Sequence, residues 1–402
     1  MISLDLTNRG LEHVPDEVFA HADTLEELSL SNNRLTSLPP RLVELRRLKR
    51  LFCSGNPFET VPDVLGQLPA LEMIGFKSCA LTDVPAAALP PRLRWLILTD
   101  NRLTSLPEAL GNCTRMQKLA LAGNQLTSLP GSFTKLTSLE LLRISANRFT
   151  SFPTALLSLP KLSWLAFAGN PFCVRPQVRT RSISWRALSL HEVLGQGASG
   201  VISRATFEGH DVAVKVFKGA VTSDGLPEDE VTACLVAGSH RHLIGVEGRV
   251  TDHPHGADAL VLTLMPPRFH PLGAPPDFQS CTRDVMSLTL GAAQSLRIAR
   301  HVAEVGAQLH ERGVLHGDLY AHNTRVDDEG DVLLGDFGAA SLMNGLPLEH
   351  LDVRAFGAML DDLRSCGAPA VLSEMRDVCW SSAPPRFADL LRDFGRSLNS
   401  VA

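Results

Sequence analysis

One pattern returns at a fixed interval through the first half of the chain. Leu28-x-Leu30-x-x-Asn33-x-Leu35-x-x-Leu38-Pro39 recurs around Asn56, Cys79, Asn101, Asn124, Asn147 and Asn170, anchors spaced 23, 23, 22, 23, 23 and 23 residues apart. An earlier copy, Leu4-x-Leu6-x-x-Arg9-x-Leu11, brings the number to eight. One such unit cannot bury its own leucines, so neighbouring units must stack and share a continuous core. The alternating leucines predict a short strand in each unit. The Asn side chain, or Cys79, is placed to satisfy backbone groups where the chain bends. The Leu-Pro pair stops any helix and turns the chain back.

This pattern resembles the leucine-rich repeat, and the resemblance covers about residues 1–175. It implies an α/β solenoid of about eight repeats of ~23 residues. Residues beside the strand leucines are expected on the concave face. Several are large and apolar: Phe52, Met73, Trp95, Ile97, Leu141 and Trp164. Arg50, Lys77, Lys118 and Arg143 lie among them. Exposed apolar area of this kind marks a contact surface, the alternative being aromatics that lie flat on neighbouring strands and need no partner. Its expected occupant is a protein partner or the chain's own second half, met by Phe52, Trp95, Ile97 and Trp164.

Charge differs between the halves. Residues 1–175 hold 18 Lys and Arg against 15 Asp and Glu, and the remainder holds 20 against 28, for a net −5 over 402 residues. Neither half has the basic excess of a nucleic-acid binder. The eight cysteines form no CxxC, which argues against a disulfide framework or a zinc site. Met1-Ile-Ser-Leu-Asp5 lacks the start of a signal peptide, and no apolar run approaches a membrane span. A cytoplasmic protein is expected, without membrane attachment. Residues 176–187 carry Arg179, Arg181 and Arg186 without the repeat period and read as a linker.

The second half carries chemistry in a fixed order. Gly195-Gln-Gly197-Ala-Ser-Gly200 reads as a turn between strands, where backbone N–H groups can approach phosphates with no side chain in the way. The next segment, Asp211-Val-Ala-Val-Lys215-Val-Phe217, is strand-like, with its lysine inward. Pro227 to Gly238 has helix-start acids and an apolar face. Ala259 to Met265 reads as a strand ended by Pro266 and Pro267, and residues 266–283 are Pro-rich and irregular. Ser295 to His310 is an amphipathic helix with Leu296, Ala299, Val302, Val305 and Leu309 on one side. Then comes Val314-Leu-His-Gly-Asp318-Leu-Tyr-Ala-His-Asn323, and after a hairpin Val332-Leu-Leu-Gly-Asp336-Phe-Gly338. One carboxylate to orient a hydroxyl, and a carboxylate plus an amide to hold Mg²⁺, are what phosphoryl transfer from a metal nucleotide needs.

Residues 188–402 therefore resemble a eukaryotic-type protein kinase, an α+β bilobal fold. The resemblance implies that Gly195, Gly197 and Gly200 cover the phosphates of ATP. It implies that Lys215 binds those phosphates and pairs with Glu230; Glu228 is the rival partner. Asp318 is implied as the catalytic base, with Asn323 and Asp336 as Mg²⁺ ligands. The chain departs from the family at four places. Gly317 stands where an Arg usually precedes the catalytic Asp. Tyr320 stands where Ser/Thr kinases place a Lys, and His322 where tyrosine kinases place an Arg. Asp352 follows Gly338 by only fourteen positions with no Ala-Pro-Glu between. The domain is short, about 215 residues. The expected activity is protein Ser/Thr phosphorylation, with the repeats as an interaction or regulatory domain. The alternatives are a small-molecule phosphotransferase and an inert kinase-fold scaffold. Ser341 is the one hydroxyl between Ala339 and Asp352, and substituting it by Ala is expected to leave the rate unchanged.

Overall fold

The structure is a computed structural model that describes residues 2–197, 199–218, 221–222 and 224–401. Contacts divide the chain into two compact units, Met1–Leu162 with Gly169–Phe172, and Ser163–Ala168 with Cys173–Ala402.

The repeat half is a leucine-rich-repeat solenoid. Each repeat gives one short strand: β1 (Ile2–Asp5), β2 (Leu25–Ser29), β3 (Arg50–Phe52), β4 (Met73–Gly75), β5 (Trp95–Ile97), β6 (Lys118–Ala120), β7 (Leu141–Arg143) and β8 (Trp164–Ala166), in one sheet in chain order. The register is parallel and regular, with Leu28, Leu51, Ile74, Leu96, Leu119 and Leu142 in one row. All six are buried. The anchor amides do what the spacing implied. Asn101 Nδ2 donates to the carbonyls of Leu98 (2.9 Å) and Phe76 (2.8 Å), while its Oδ1 accepts the N–H groups of Cys79 and Leu81. Cys79 takes one repeat's anchor place by donating its thiol to Cys53 O at 3.3 Å. Loop prolines precede short 3₁₀ helices and sit at their N-caps, extended at Pro39, Pro62 and Pro107. The proline thus introduces the convex turn as well as barring a longer helix.

The concave-face expectation divides. Phe52, Trp95 and Ile97 are half-buried, and Lys118 Nζ lies 4.2 Å over the Trp95 ring. Met73, Leu141 and Trp164 are buried.

The second unit is an α+β fold with a six-stranded sheet, a helical part and two small sheets. The large sheet runs β10 (Ser189–Gln196), β11 (Gly200–Phe207), β12 (His210–Phe217), β14 (Ala259–Thr263), β13 (Val246–Val250) and β9 (Ser182–Ile183). The reading of 176–187 as a linker needs correction, because Ser182–Ile183 pairs in parallel with Arg249–Val250 as an edge strand. Ile183 is the cause: it enters a core with Phe207, Val212, Val214, Val250 and Val261, against which Trp185 packs. Helix α1 (Pro227–Ala237) packs Val231 on Phe217 and Leu260 beneath this sheet.

Helix α2 (Ala292–Glu311) buries all five expected apolar residues. Its Gly306 sits where a Cβ would lie 2.5 Å from the Phe387 ring of α5 (Phe387–Val401). Strand β16 (Val314–Leu315) follows, then β17 (Thr324–Val326) and β18 (Val332–Leu334), which form the expected hairpin. β17 also pairs with β15 (His270–Pro271). β19 (Ser341–Leu342) pairs antiparallel with β16. Helices α3 (Glu349–Ser365) and α4 (Val371–Cys379) complete the unit. Among the described residues, no helix is long and apolar enough to cross a membrane.

Candidate active site

Strand β12 alternates its side chains, so Val212 and Val214 enter the core while Lys215 faces the other way, over α1. There its ammonium donates to Glu230 Oε1, and both residues are buried. Glu228 is half-exposed and pairs with Arg175, which settles the rivalry. Burial disfavours the Lys215 charge, but Glu230 and Asp336 outweigh it and raise its pKa. Burial pushes the Glu230 carboxyl up to about 7, with Lys215 opposing and Asp336 adding to the rise.

The turn between β10 and β11 leaves open space on the cleft side. A Cβ at Gly195 or Gly197 would meet nothing within 4 Å, whereas one at Gly200 would lie 2.5 Å from Val216 O. The first two glycines keep a cradle clear, and the third lets β11 approach β12. Ala198, inside the turn, lies outside the described residues.

The carboxylate loop is held from below. Asp352 of α3 is buried, and its two oxygens accept His316 N (2.8 Å), Gly317 N (3.0 Å) and a bond from His310 Nε2 (3.0 Å). Burial pushes its carboxyl up, but the His310 bond and the Gly317 N–H outweigh burial and hold it below the ordinary range. Asn323 Nδ2 donates to Asp318 Oδ2 (2.9 Å) and to Asp318 O (3.0 Å). With its nitrogen so engaged, the amide oxygen of Asn323 is the atom left to meet a cation. Asp336 stands at φ +57°, a strained value for a non-glycine residue, and its Oδ1 accepts Gly338 N at 3.2 Å.

These pieces line one cleft of about 280 Å³, shared by Gly195, Gly197, Gly200, Lys215, Glu230, Asn323 and Asp336. Its apolar walls are Ile202, Val246, Leu260 and Leu262. A carboxylate and an amide oxygen are hard donors suited to Mg²⁺. The open glycine turn and the buried ammonium suit phosphates, and the apolar slot suits a flat base.

Asp284 and Arg325 escaped the sequence reading, and His322 entered it only as a departure from the tyrosine-kinase pattern. His322 lines the cleft, and Asp284 fixes it by accepting His322 N (3.0 Å) and bonding its Nδ1 (2.7 Å). Arg325 also lines the cleft. Asp284 ends the irregular Pro-rich stretch, where no period pointed to it. Arg325 is two residues past Asn323, at an inward register that the hairpin made readable.

A larger cavity, about 580 Å³, lies among Arg241, Leu243, Met265, Arg268 and Phe269 and contains none of these groups. Beside it, His242, His301 and Glu304 place their ligand-type atoms within 4.8 Å of one another. The chain's own Arg241 guanidinium lies among them, with Nε 2.8 Å from His242 Nε2 and Nη2 3.4 Å from His301 Nε2.

Comparison with known proteins agrees with this geometry. Residues 188–347 match the family of protein tyrosine and serine/threonine kinases, and residues 2–58, 23–81, 91–149 and 114–172 match the leucine rich repeat. Megakaryocyte-associated tyrosine-protein kinase of Mus musculus is 24% identical over 270 residues, 53% of this chain and 50% of that protein. Activin receptor type-1 of Mus musculus is 26% identical over 176 residues, 42% of this chain and 32% of the receptor. PH domain leucine-rich repeat-containing protein phosphatase 1 of Homo sapiens is 36% identical over 99 residues, 24% of this chain and 6% of that protein. The chain thus spans about half or less of the length of these relatives.

Proposed function

We propose that the chain joins a leucine-rich-repeat array to a protein kinase domain, and that this domain is an active ATP- and Mg²⁺-dependent kinase acting on Ser or Thr hydroxyls of proteins. The observation that carries this reading is the assembled cleft. The Lys215–Glu230 pair and the Asp318–Asn323 bonds coexist, with Asp336 in the same cavity. An inert fold has no reason to keep a buried ion pair of this kind, because burying two charges costs several kcal/mol per ion (order of magnitude) before they meet.

Bound MgATP supplies the phosphoryl group. Lys215, held by Glu230, aligns the phosphates, and the turn at Gly195 and Gly197 covers them. Asn323 and Asp336 are the residues that would hold the metal, which would neutralise charge on the phosphates. Asp318 orients the substrate hydroxyl and takes its proton as that oxygen bonds to the γ-phosphorus and ADP leaves. The choice of Ser or Thr over Tyr is supported by His322, which Asp284 holds at the position where tyrosine kinases place an Arg. One observation favours a small-molecule phosphotransferase instead. Asp352 closes the carboxylate loop only fourteen positions after Gly338, leaving little chain to seat a peptide. Phe52, Trp95 and Ile97 are proposed as the repeat surface that meets a protein partner.

Purified protein with γ-labelled ATP, offered a mixture of proteins and separately a panel of small alcohols, tests the reading. Transfer to protein Ser or Thr that is abolished by Asp318→Asn is expected. Transfer to alcohols alone, or to neither, contradicts it.

A further inference from the structure

Three places where the sequence departs from the kinase pattern meet one short segment. The segment is Ser163–Ala168, containing β8, which by its contacts belongs to the second unit. The first departure is Tyr320. The Trp164 indole stacks on its ring with centroids 4.5 Å apart and planes 5° from parallel, and both residues are buried. Trp164 Nε1 also donates to Leu319 O at 3.1 Å, one residue past Asp318. The second is Gly317, at φ +69°. A Cβ there would lie 2.5 Å from Leu165 O and 2.7 Å from Ala339 O, so the segment's backbone fills the space a side chain would need. The third is the short loop after Gly338. Its single hydroxyl, Ser341, is 1% exposed and accepts two N–H groups of the segment, Phe167 at 3.0 Å and Ala168 at 3.1 Å. Ser341 in turn pairs with Leu315 at the entrance to the Asp318 loop.

We propose that Ser163–Ala168 is a built-in activating brace, with Trp164 and Ser341 as positioning residues for the Asp318 loop. This rests on the reading of the domain as an active kinase. Many kinases order the loop after Gly338 by adding a phosphate that an arginine receives. Here the arginine's position is Gly317, and the hydroxyl that could carry a phosphate is already an acceptor for backbone N–H groups. The brace occupies both ends of that switch with contacts that need no modification. It grips the catalytic loop at Leu319 and Tyr320 and the following loop at Ser341. Between these grips stand the Asp318–Asn323 bonds and Asp336, already placed around the cleft. The structure therefore assigns the segment an activating role. A segment acting as an inhibitor would give the opposite rate change.

The test compares the full chain with Trp164→Ala, Trp164→Phe and Ser341→Ala. Initial rates of phosphoryl transfer are measured after phosphatase treatment, with fluorescent ADP binding and amide hydrogen exchange alongside. Trp164→Ala is expected to lower kcat at least tenfold with the ADP Kd within twofold. Trp164→Phe, which can still stack, should recover most of kcat. Ser341→Ala should lower kcat in the same direction, since two buried N–H groups lose their acceptor. Exchange across residues 314–342 should speed at least tenfold in Trp164→Ala while residues 200–217 stay protected. Unchanged or raised kcat in Trp164→Ala overturns the brace. If the wild type transfers no phosphate at all, the proposed function fails. The exchange data then decide the brace alone, and unchanged protection of 314–342 overturns it.

Discussion

Gly317 offers the sharpest single-residue prediction, because the intuitive repair should do harm. Restoring the family's Arg at that position looks like an improvement from sequence. The backbone there is left-handed at φ +69°, which costs a non-glycine residue about 1–2 kcal/mol. A Cβ would also press on two carbonyl oxygens, at 2.5 and 2.7 Å, and both belong to backbone that cannot swing aside. Overpacking of this kind costs about 1–3 kcal/mol more. Gly317→Ala should therefore lose about 2–5 kcal/mol in all, and Gly317→Arg at least as much. For a unit of this size a mid-range loss of about 3 kcal/mol lowers the melting temperature by roughly 6–12 °C. Differential scanning calorimetry of the full chain, following the transition that ADP shifts, measures it. A Gly317→Arg protein that melts with the wild type and turns over as fast would refute the reasoning.

Two further predictions concern buried charge. Lys215→Met should cut phosphoryl transfer roughly 100-fold or more, as loss of a preorganised charge at the phosphates does, while circular dichroism stays native; wild-type turnover would remove Lys215 from the site. His242 is 3% exposed, and burial beside His301 and Arg241 lowers its pKa to about 4, with Glu304 and the Val332 carbonyl only partly opposing. The unfolded chain, near the ordinary value of about 6.5, takes the proton first. Stability from this group is thus intact above pH 6.5 and falls as pH drops toward 4, by about 1.4 kcal/mol per pH unit. His242→Phe should flatten the acid side of the melting-temperature profile relative to wild type; parallel profiles would contradict the assignment.

The repeats were readable because their signal is local and periodic. Asn33, Asn56, Asn101 and their equivalents bond backbone within one or two turns of the solenoid, so spacing alone revealed their task. The cleft was readable for a different reason. Lys215, Asn323 and Asp336 stand at offsets that short strands and hairpins convert directly into shared space, and Asp318 joins them through its bonds from Asn323. Neither signal reaches the brace. Trp164 meets Leu319 across 155 residues, and nothing in a 23-residue period tells that its last tryptophan stacks on Tyr320. The place of Ser341 was equally hidden, because sequence shows only a lone hydroxyl in a short loop. Its pairing with Leu315 and two N–H groups is visible only in three dimensions. Asp284 and Ser182–Ile183 were missed in the same way, one in a stretch with no period and the other in a supposed linker.

The most direct measurement is the rate of phosphoryl transfer by the full wild-type chain before and after exhaustive phosphatase treatment, with phosphate removal verified by mass spectrometry. A loop held by Trp164, Leu165 and Phe167 needs no phosphate, so the account predicts rates within twofold of each other and both far above Asp318→Asn. A treated enzyme that falls to the Asp318→Asn background, and recovers only on rephosphorylation, would contradict it.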